Sequence, residues 1–364
     1  MISRERVKRI LEHREVDRVA IQDRIWQATE TRWREEGLPK GVSVQDYFGY
    51  EITPIWVDTT PRFPVEILHQ DKKFIIRRNS YGQIVKNYID FSTTPQVIDC
   101  TIKNRKDWDK AKEKLKPDDN RLIGFSGEPE VWLGWKKALE YFRLEHKKER
   151  FIAYSGHIGF GLLHRYIGME KLFLTIATDP DWIQDMAMTQ AKLLISMYEI
   201  MLKKGFRFDG IYLSNDMGGR NGLLFSPRCY REQFLPADKL ICDYFRSKDI
   251  PIILHSDGDL RELIPDLIKV GFSCLEPLEV KASMDVGELK KQYGNRIALM
   301  GGIDVRLMAD EDPELIEDEI KSKFTMAKEN SGYIYHSDHS IPNNVSFQRY
   351  KYVIELVKKY GRYD

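Results

Sequence analysis

The stretch Pro251-Ile252-Ile253-Leu254-His255-Ser256-Asp257-Gly258-Asp259 decides how the chain is read. Residues 251–254 are a short apolar run of the kind a buried strand requires, and the run breaks off into His255, Asp257 and Asp259. A helix-like run over 260–270 follows. Apolar strand, polar tip, helix is the order in which an α/β protein presents chemistry at the C-terminal end of a strand. Asp259 is placed to cap the helix. His255 and Asp257 are two residues apart, so on an extended backbone they share a face and point into one space.

The same unit recurs to either side. Short apolar runs at 19–22, 121–125, 151–154, 210–213, 251–254, 272–275, 296–300 and 333–335 are each followed by a helical pattern. Strands alternating with amphipathic helices require a parallel sheet. Eight such units predict an α/β chain folded as a closed (β/α)8 TIM barrel. No G-x-G-x-x-G follows any strand, which weakens a dinucleotide-binding sheet. Between 46 and 100 the pattern turns to short β-rich pieces separated by turns such as Asn79-Ser80-Tyr81-Gly82. The expectation is a single barrel domain over 1–364, with a β-rich insertion at 46–100 near the barrel mouth.

Composition removes several classes of function. Lys and Arg number 57 against 56 Asp and Glu, a net charge of +1, so no global field argues for nucleic acid or an anionic membrane. The four cysteines, at 100, 229, 242 and 274, form no C-x-x-C pair, which signals neither a disulfide framework nor a thiolate zinc site. There is no apolar signal region and no run of about 18 apolar residues. The expected location is cytoplasmic, and the expected ligand is a small molecule.

In a barrel the C-terminal strand ends converge on one mouth. Here those ends carry Asp23 and Arg24; Ser155-Gly156-His157; Asp216; His255 and Asp257; Glu276; Asp304; and Asp338 with His339. The opposite ends carry nothing comparable. Each residue alone has a structural explanation, since a carboxylate can cap a helix and a histidine can sit in a core. Their concentration on one side predicts a catalytic mouth. Carboxylates and imidazoles suit a divalent metal, zinc first, or general acid and base chemistry. Nucleophilic catalysis is weaker: there is no G-x-S-x-G, and Cys274 sits inside a strand. Trp26, Trp132, Trp135, Tyr154 and Phe160 could wall a flat pocket.

The C-terminal half resembles the uroporphyrinogen decarboxylase superfamily, which includes the cobalamin-dependent methyltransferases. The matching residues are Asp209-Gly210-Ile211-Tyr212 leading to Asp216-Met217-Gly218, then Ser226-Pro227-Arg228-Cys229-Tyr230 with Pro236. They continue through His255-Ser256-Asp257-Gly258, Gly301-Gly302-Ile303-Asp304 and Asp338-His339-Ser340-Ile341-Pro342. The resemblance covers roughly 150–362 and implies a (β/α)8 barrel. Decarboxylases of the family carry an R-Q-A-G-R-Y-type stretch after the first strand; Asp23-Arg24-Ile25-Trp26-Gln27-Ala28 stands there, with only Arg24 matching. The methyltransferases hold zinc through H-x-C and a late Cys. His255 matches the His, Asp257 replaces the Cys, and Asp338 or His339 stands near the late Cys.

The resemblance implies a metal-assisted enzyme moving a methyl group from a small oxygen-bearing donor, such as a methyl ether, to a corrinoid on a partner protein. His255, Asp257 and His339 are the expected ligands of a zinc ion. Asp216, Glu276 and Asp338 are the expected catalytic carboxylates. Arg24, Trp26, Tyr154, His157 and Arg220 are the expected substrate contacts. A metal-free decarboxylase of a carboxylated pyrrole or other small acid is the alternative, with Arg24, Arg220 and Arg306 as its cationic groups. A homodimer is compatible with either.

Overall fold

The structure, a computed structural model, describes residues 1–90, 94–125 and 131–363. Eight parallel strands form the barrel: β1 (Ala20–Ile21), β2 (Ile52–Val57), β3 (Phe151–His157), β4 (Gly210–Ser214), β5 (Ile252–His255), β6 (Cys274–Glu276), β7 (Ala298–Met300) and β8 (Tyr333–Tyr335). Each strand from β2 to β8 pairs in parallel with the next, and β8 pairs in parallel with β1 through Ala20–Ile334 and Ile21–Tyr335. The two ends of the chain are therefore neighbours, as the eight-unit reading predicts. The last seam, between β1 and β2, has no ladder. Glu51 closes it instead: its backbone N–H donates to the Ile21 carbonyl at 2.8 Å, and its carboxylate accepts the Ile21 N–H at 2.9 Å.

Alternation along the strands sorts the side chains into two cores. Ala20, Ile52, Phe151, Ala153, Ile253, Cys274, Ala298, Met300 and Ile334 form one buried cluster with Val7, Ile10 and Leu11 of the helix Ser3–Leu11. This is the barrel interior, packed solid and stoppered at its N-terminal end by that first helix, so the open end is the mouth. The larger cluster lies between strands and outer helices. Among the described residues no helix is long and apolar enough to cross a membrane.

One strand assignment and one boundary change. The run 121–125 is not the second barrel strand: Ile123–Phe125 lies antiparallel to β2 and forms a hairpin with Val131–Leu133. The second barrel strand is Ile52–Val57, inside the stretch read as insertion. Pro54 in its middle reads as a break, yet at Pro54 β2 has a ladder neighbour on one side only, because the pairing with Phe125 begins at Ile55. The insertion thus starts after Val57 rather than at 46, where the chain is the short helix Val44–Phe48. Its core is a four-stranded antiparallel sheet, Glu66–Gln70, Phe74–Arg78, Gln83–Tyr88 and Gln96–Cys100. Residues 91–93 of the expected insertion lie outside the described residues.

Candidate active site

The mouth opens into a cavity of about 850 Å³. Its floor is set by strand register. His255 ends β5 and Glu276 ends β6, and the two are direct cross-strand partners whose side chains face inward. Glu276 Oε2 lies 2.6 Å from His255 Nδ1 and accepts the Tyr212 hydroxyl at 2.7 Å. The other oxygen, Oε1, faces Nε2 of His336 at 3.4 Å. Glu276 is 3% exposed. Burial alone would raise its pKa, but the imidazoles of His255 and His336 and the bonds from His255 and Tyr212 draw it down to about 2.

With Nδ1 of His255 so engaged, Nε2 faces the open mouth. Asp216 Oδ1 lies 3.4 Å from it and Asp257 Oδ1 lies 3.9 Å from it. Burial disfavours the charged ring, but Glu276, Asp216 and Asp257 outweigh it and hold the His255 pKa well above the ordinary histidine value. Burial likewise opposes ionisation of Asp216, and the hydrogen bond and charge of His255 overcome it. Asp257 goes the other way: burial, with the nearby charges of Asp216 and Glu279, raises its pKa despite His255. Asp257 belongs to a second group as well, with Glu279 and His339, whose ligand atoms all lie within 4.8 Å of one another. Glu279 is anchored by the Gly258 N–H at 2.8 Å, and His339 stacks on Trp26.

These groups fit a divalent metal. Zinc–ligand bonds of about 2.0–2.1 Å place tetrahedral ligands roughly 3.3–3.4 Å apart, close to the Asp216–His255 separation. A metal-bound imidazole needs its other nitrogen held by an acceptor, and Glu276 provides it. The set is one nitrogen and two carboxylates, with no thiolate: Cys274 is buried inside the barrel.

The cavity brings together most of the residues picked from sequence. Arg24, Trp26, His157, Asp216, His255, Asp257, Glu276 and His339 all line it. Three do not. Tyr154 faces the helix layer, donating its hydroxyl to the Leu194 carbonyl at 2.9 Å and packing on Tyr198 and Phe208; in β3 it is Ser155 and His157 that have the inward phase. Asp338 is buried and accepts the Val280 and Val305 N–H groups, each at 3.0 Å, so it braces two loops. Arg220 is exposed at the tip of the hairpin Gly218–Leu223 and does not reach the cavity. Arg306 forks onto Asp304, its neighbour in the same helical turn, and is spent there. Of the aromatic residues, Trp132 lines the cavity, whereas Phe160 packs on Phe225 and Trp135 on Phe206.

Several lining residues escaped the sequence reading. Tyr212 shares its face with Ser214 in β4, a phase that inward counting could have found. His336 belongs to the same polar run as His339. Trp56 was hidden by the assignment of β2 to the insertion. Arg165, in the helix Gly159–Ile167, carries no sequence signal.

A family model described as uroporphyrinogen decarboxylase (URO-D) matches residues 160–360. Curated uroporphyrinogen decarboxylases from Pelodictyon phaeoclathratiforme and Chloroherpeton thalassium are each 27% identical over 135 residues, which is 36% of this chain and 37% of each relative. The matched segment thus spans little more than a third of those relatives. Among solved structures, a methyltransferase from Methanosarcina mazei superimposes with a TM-score of 0.66 at 15% identity over 99% of both chains, a likeness of fold.

Proposed function

The chain belongs to the uroporphyrinogen decarboxylase family, and we propose that within it this protein is a metal-assisted methyltransferase. It takes a methyl group from a small oxygen-bearing donor, such as a methyl ether, for delivery to a corrinoid on a partner protein. The observation that carries this reading is the pairing of a fixed imidazole with two open carboxylates: His255 Nδ1 is 2.6 Å from Glu276, and Nε2 faces Asp216 and Asp257. His255, Asp216 and Asp257 would hold the zinc ion, and Asp257 is shared with a second group that contains Glu279 and His339. When bound, zinc in an oxygen-rich set acts as a Lewis acid that polarises the donor oxygen. Glu276 fixes the ring of His255, and Tyr212 and His336 fix Glu276. Trp26 and Trp56 wall the space beside this floor.

The test is a single turnover. Protein purified without chelator is mixed with free cob(I)alamin and a panel of methyl ethers, and methylcobalamin formation is followed by absorbance. Methylation that disappears in His255→Ala supports the proposal. No methylation from any donor, together with carbon dioxide release from carboxylated pyrroles, overturns it.

The decarboxylase alternative draws support from the curated relatives. Its cationic pocket is reduced, however: Arg220 lies outside the cavity and Arg306 is paired with Asp304. Arg24 remains of the three.

A further inference from the structure

We propose that the mouth takes a second divalent cation, held by Asp257, Glu279 and His339, and that the Asp257 carboxylate is shared between it and the ion proposed at His255 and Asp216. This rests on the metal floor described above and adds to it a site whose occupancy is measured separately.

The three ligands come from three strand ends. Asp257 follows β5, Glu279 follows β6 and His339 follows β8, and one ligand atom from each lies within 4.8 Å of the others. Zinc bonds of about 2.0–2.2 Å require only a small inward movement from such a spacing. Each ligand is held from outside the group. Glu279 is buried and accepts the Gly258 N–H at 2.8 Å, which fixes it beside Asp257. Gly258 has φ +84°, and a Cβ there would lie 2.3 Å from the carbonyl carbon of Gly218, so this turn is pressed against the hairpin Gly218–Leu223. The ring of His339 stacks on Trp26, with 26° between the planes. Its Nδ1 turns to the Ser340 carbonyl at 3.5 Å, which leaves Nε2 free to ligate, as a metal-bound imidazole requires.

The charges at this place favour a cation. Asp257 feels the carboxylates of both Asp216 and Glu279. Among the described residues its ion-pair partner is His255 alone, 3.9 Å from Oδ1, and its carboxylate accepts no hydrogen bond. Oδ1 is thus the oxygen on the His255 side, and Oδ2 is left for a second ion. A first divalent ion is neutralised by Asp216 and Asp257, since an imidazole that ligates metal is uncharged. Glu279 then keeps its charge, offset by Lys281 at 2.9 Å. The Lys281 side chain is exposed, so an entering ion can displace its amine into water. That competition makes the second site the weaker one, filled when the ion is supplied rather than carried through purification. Two ions that share a carboxylate are the arrangement that clamps two oxygens of one bound molecule.

Equilibrium dialysis of the full chain, stripped with chelator and returned to zinc ions, tests this without turnover. The expected result is two ions per chain, bound in two steps. His339→Ala and Glu279→Gln should each keep the first step and lose the second, whereas His255→Ala should lose the first. Asp257→Asn should weaken both. Lys281→Gln should tighten the second step by about two- to fivefold, the small worth of a partly exposed pair. Thermal melts in chelator check that the variants fold, and His339→Gln replaces His339→Ala if the latter does not. One ion at saturation, a second ion that survives both His339→Ala and Glu279→Gln, or one ion lost in both His255→Ala and His339→Ala would overturn the proposal. An Asp257→Asn effect confined to one step would overturn the shared carboxylate. A single ion lost in His255→Ala alone leaves the metal floor standing without the second site, and no bound ion at all sinks both.

Discussion

Glu276 stands between two histidines: its Oε2 is 2.6 Å from His255 Nδ1 and its Oε1 is 3.4 Å from His336 Nε2. It is better placed to orient His255 than to touch a bound molecule. Glu276→Gln should keep the cavity's shape, since the amide oxygen can still accept from Tyr212. The expected result is a 10- to 100-fold loss of metal affinity by competition titration, the usual cost of losing such an orienting partner. Wild-type affinity in this variant would show that the pair is a plain buried ion pair.

Glu51 should matter for folding and not for chemistry. It is 1% exposed, pairs with Arg6 and Arg18, and bridges the one seam of the barrel that lacks a ladder. Glu51→Gln removes the buried carboxylate from Arg6, which keeps Asp17, and from the part-exposed Arg18, at an expected cost of about 1–3 kcal/mol. Urea titration should show a lower midpoint, with metal content per folded chain unchanged. An unchanged midpoint would mean that the seam is held by other contacts.

Asp238 gives the fold a pH dependence of its own. It is 1% exposed, and burial raises its pKa to about 7 although the Tyr230 hydroxyl donates to it at 2.9 Å. Between about pH 4 and 7 the unfolded chain has released this proton while the folded chain keeps it, so stability falls as pH rises through that window and levels off above it. Against an ordinary value of 3.8 the loss amounts to about 4 kcal/mol. Asp238→Asn should melt higher than wild type at pH 8 and close to it at pH 4. Equal destabilisation at both values would contradict the assignment.

The sequence was most legible where local pattern and tertiary role agree. The closure of 19–22 on 333–335 follows from counting strand–helix units, because parallel strands need crossovers and eight of them close a barrel. His255 and Glu276 were legible because each ends an apolar run. Tyr154 misled because an aromatic residue near a strand end looks like a pocket wall, while its phase in β3 turns it to the helices. Asp338 misled because an acid beside His339 looks like a site residue, while the backbone N–H groups of Val280 and Val305 donate to its carboxylate. Ile52–Val57 was hidden as a barrel strand because it lies at the start of the β-rich stretch 46–100 read as an insertion, and Arg165 was hidden by a helix that shows no periodic reason for an arginine. Which residues meet across 100 or more positions is set by the barrel's closure, and local pattern cannot see it.

Locating the metal by anomalous scattering, in crystals of protein purified without chelator, tests the central claim most directly. The account predicts one stoichiometric divalent ion bonded to Nε2 of His255 and to the carboxylates of Asp216 and Asp257. An ion that avoids these atoms, or a metal-free protein with His255 hydrogen-bonded to Asp216 through Nε2, would contradict it.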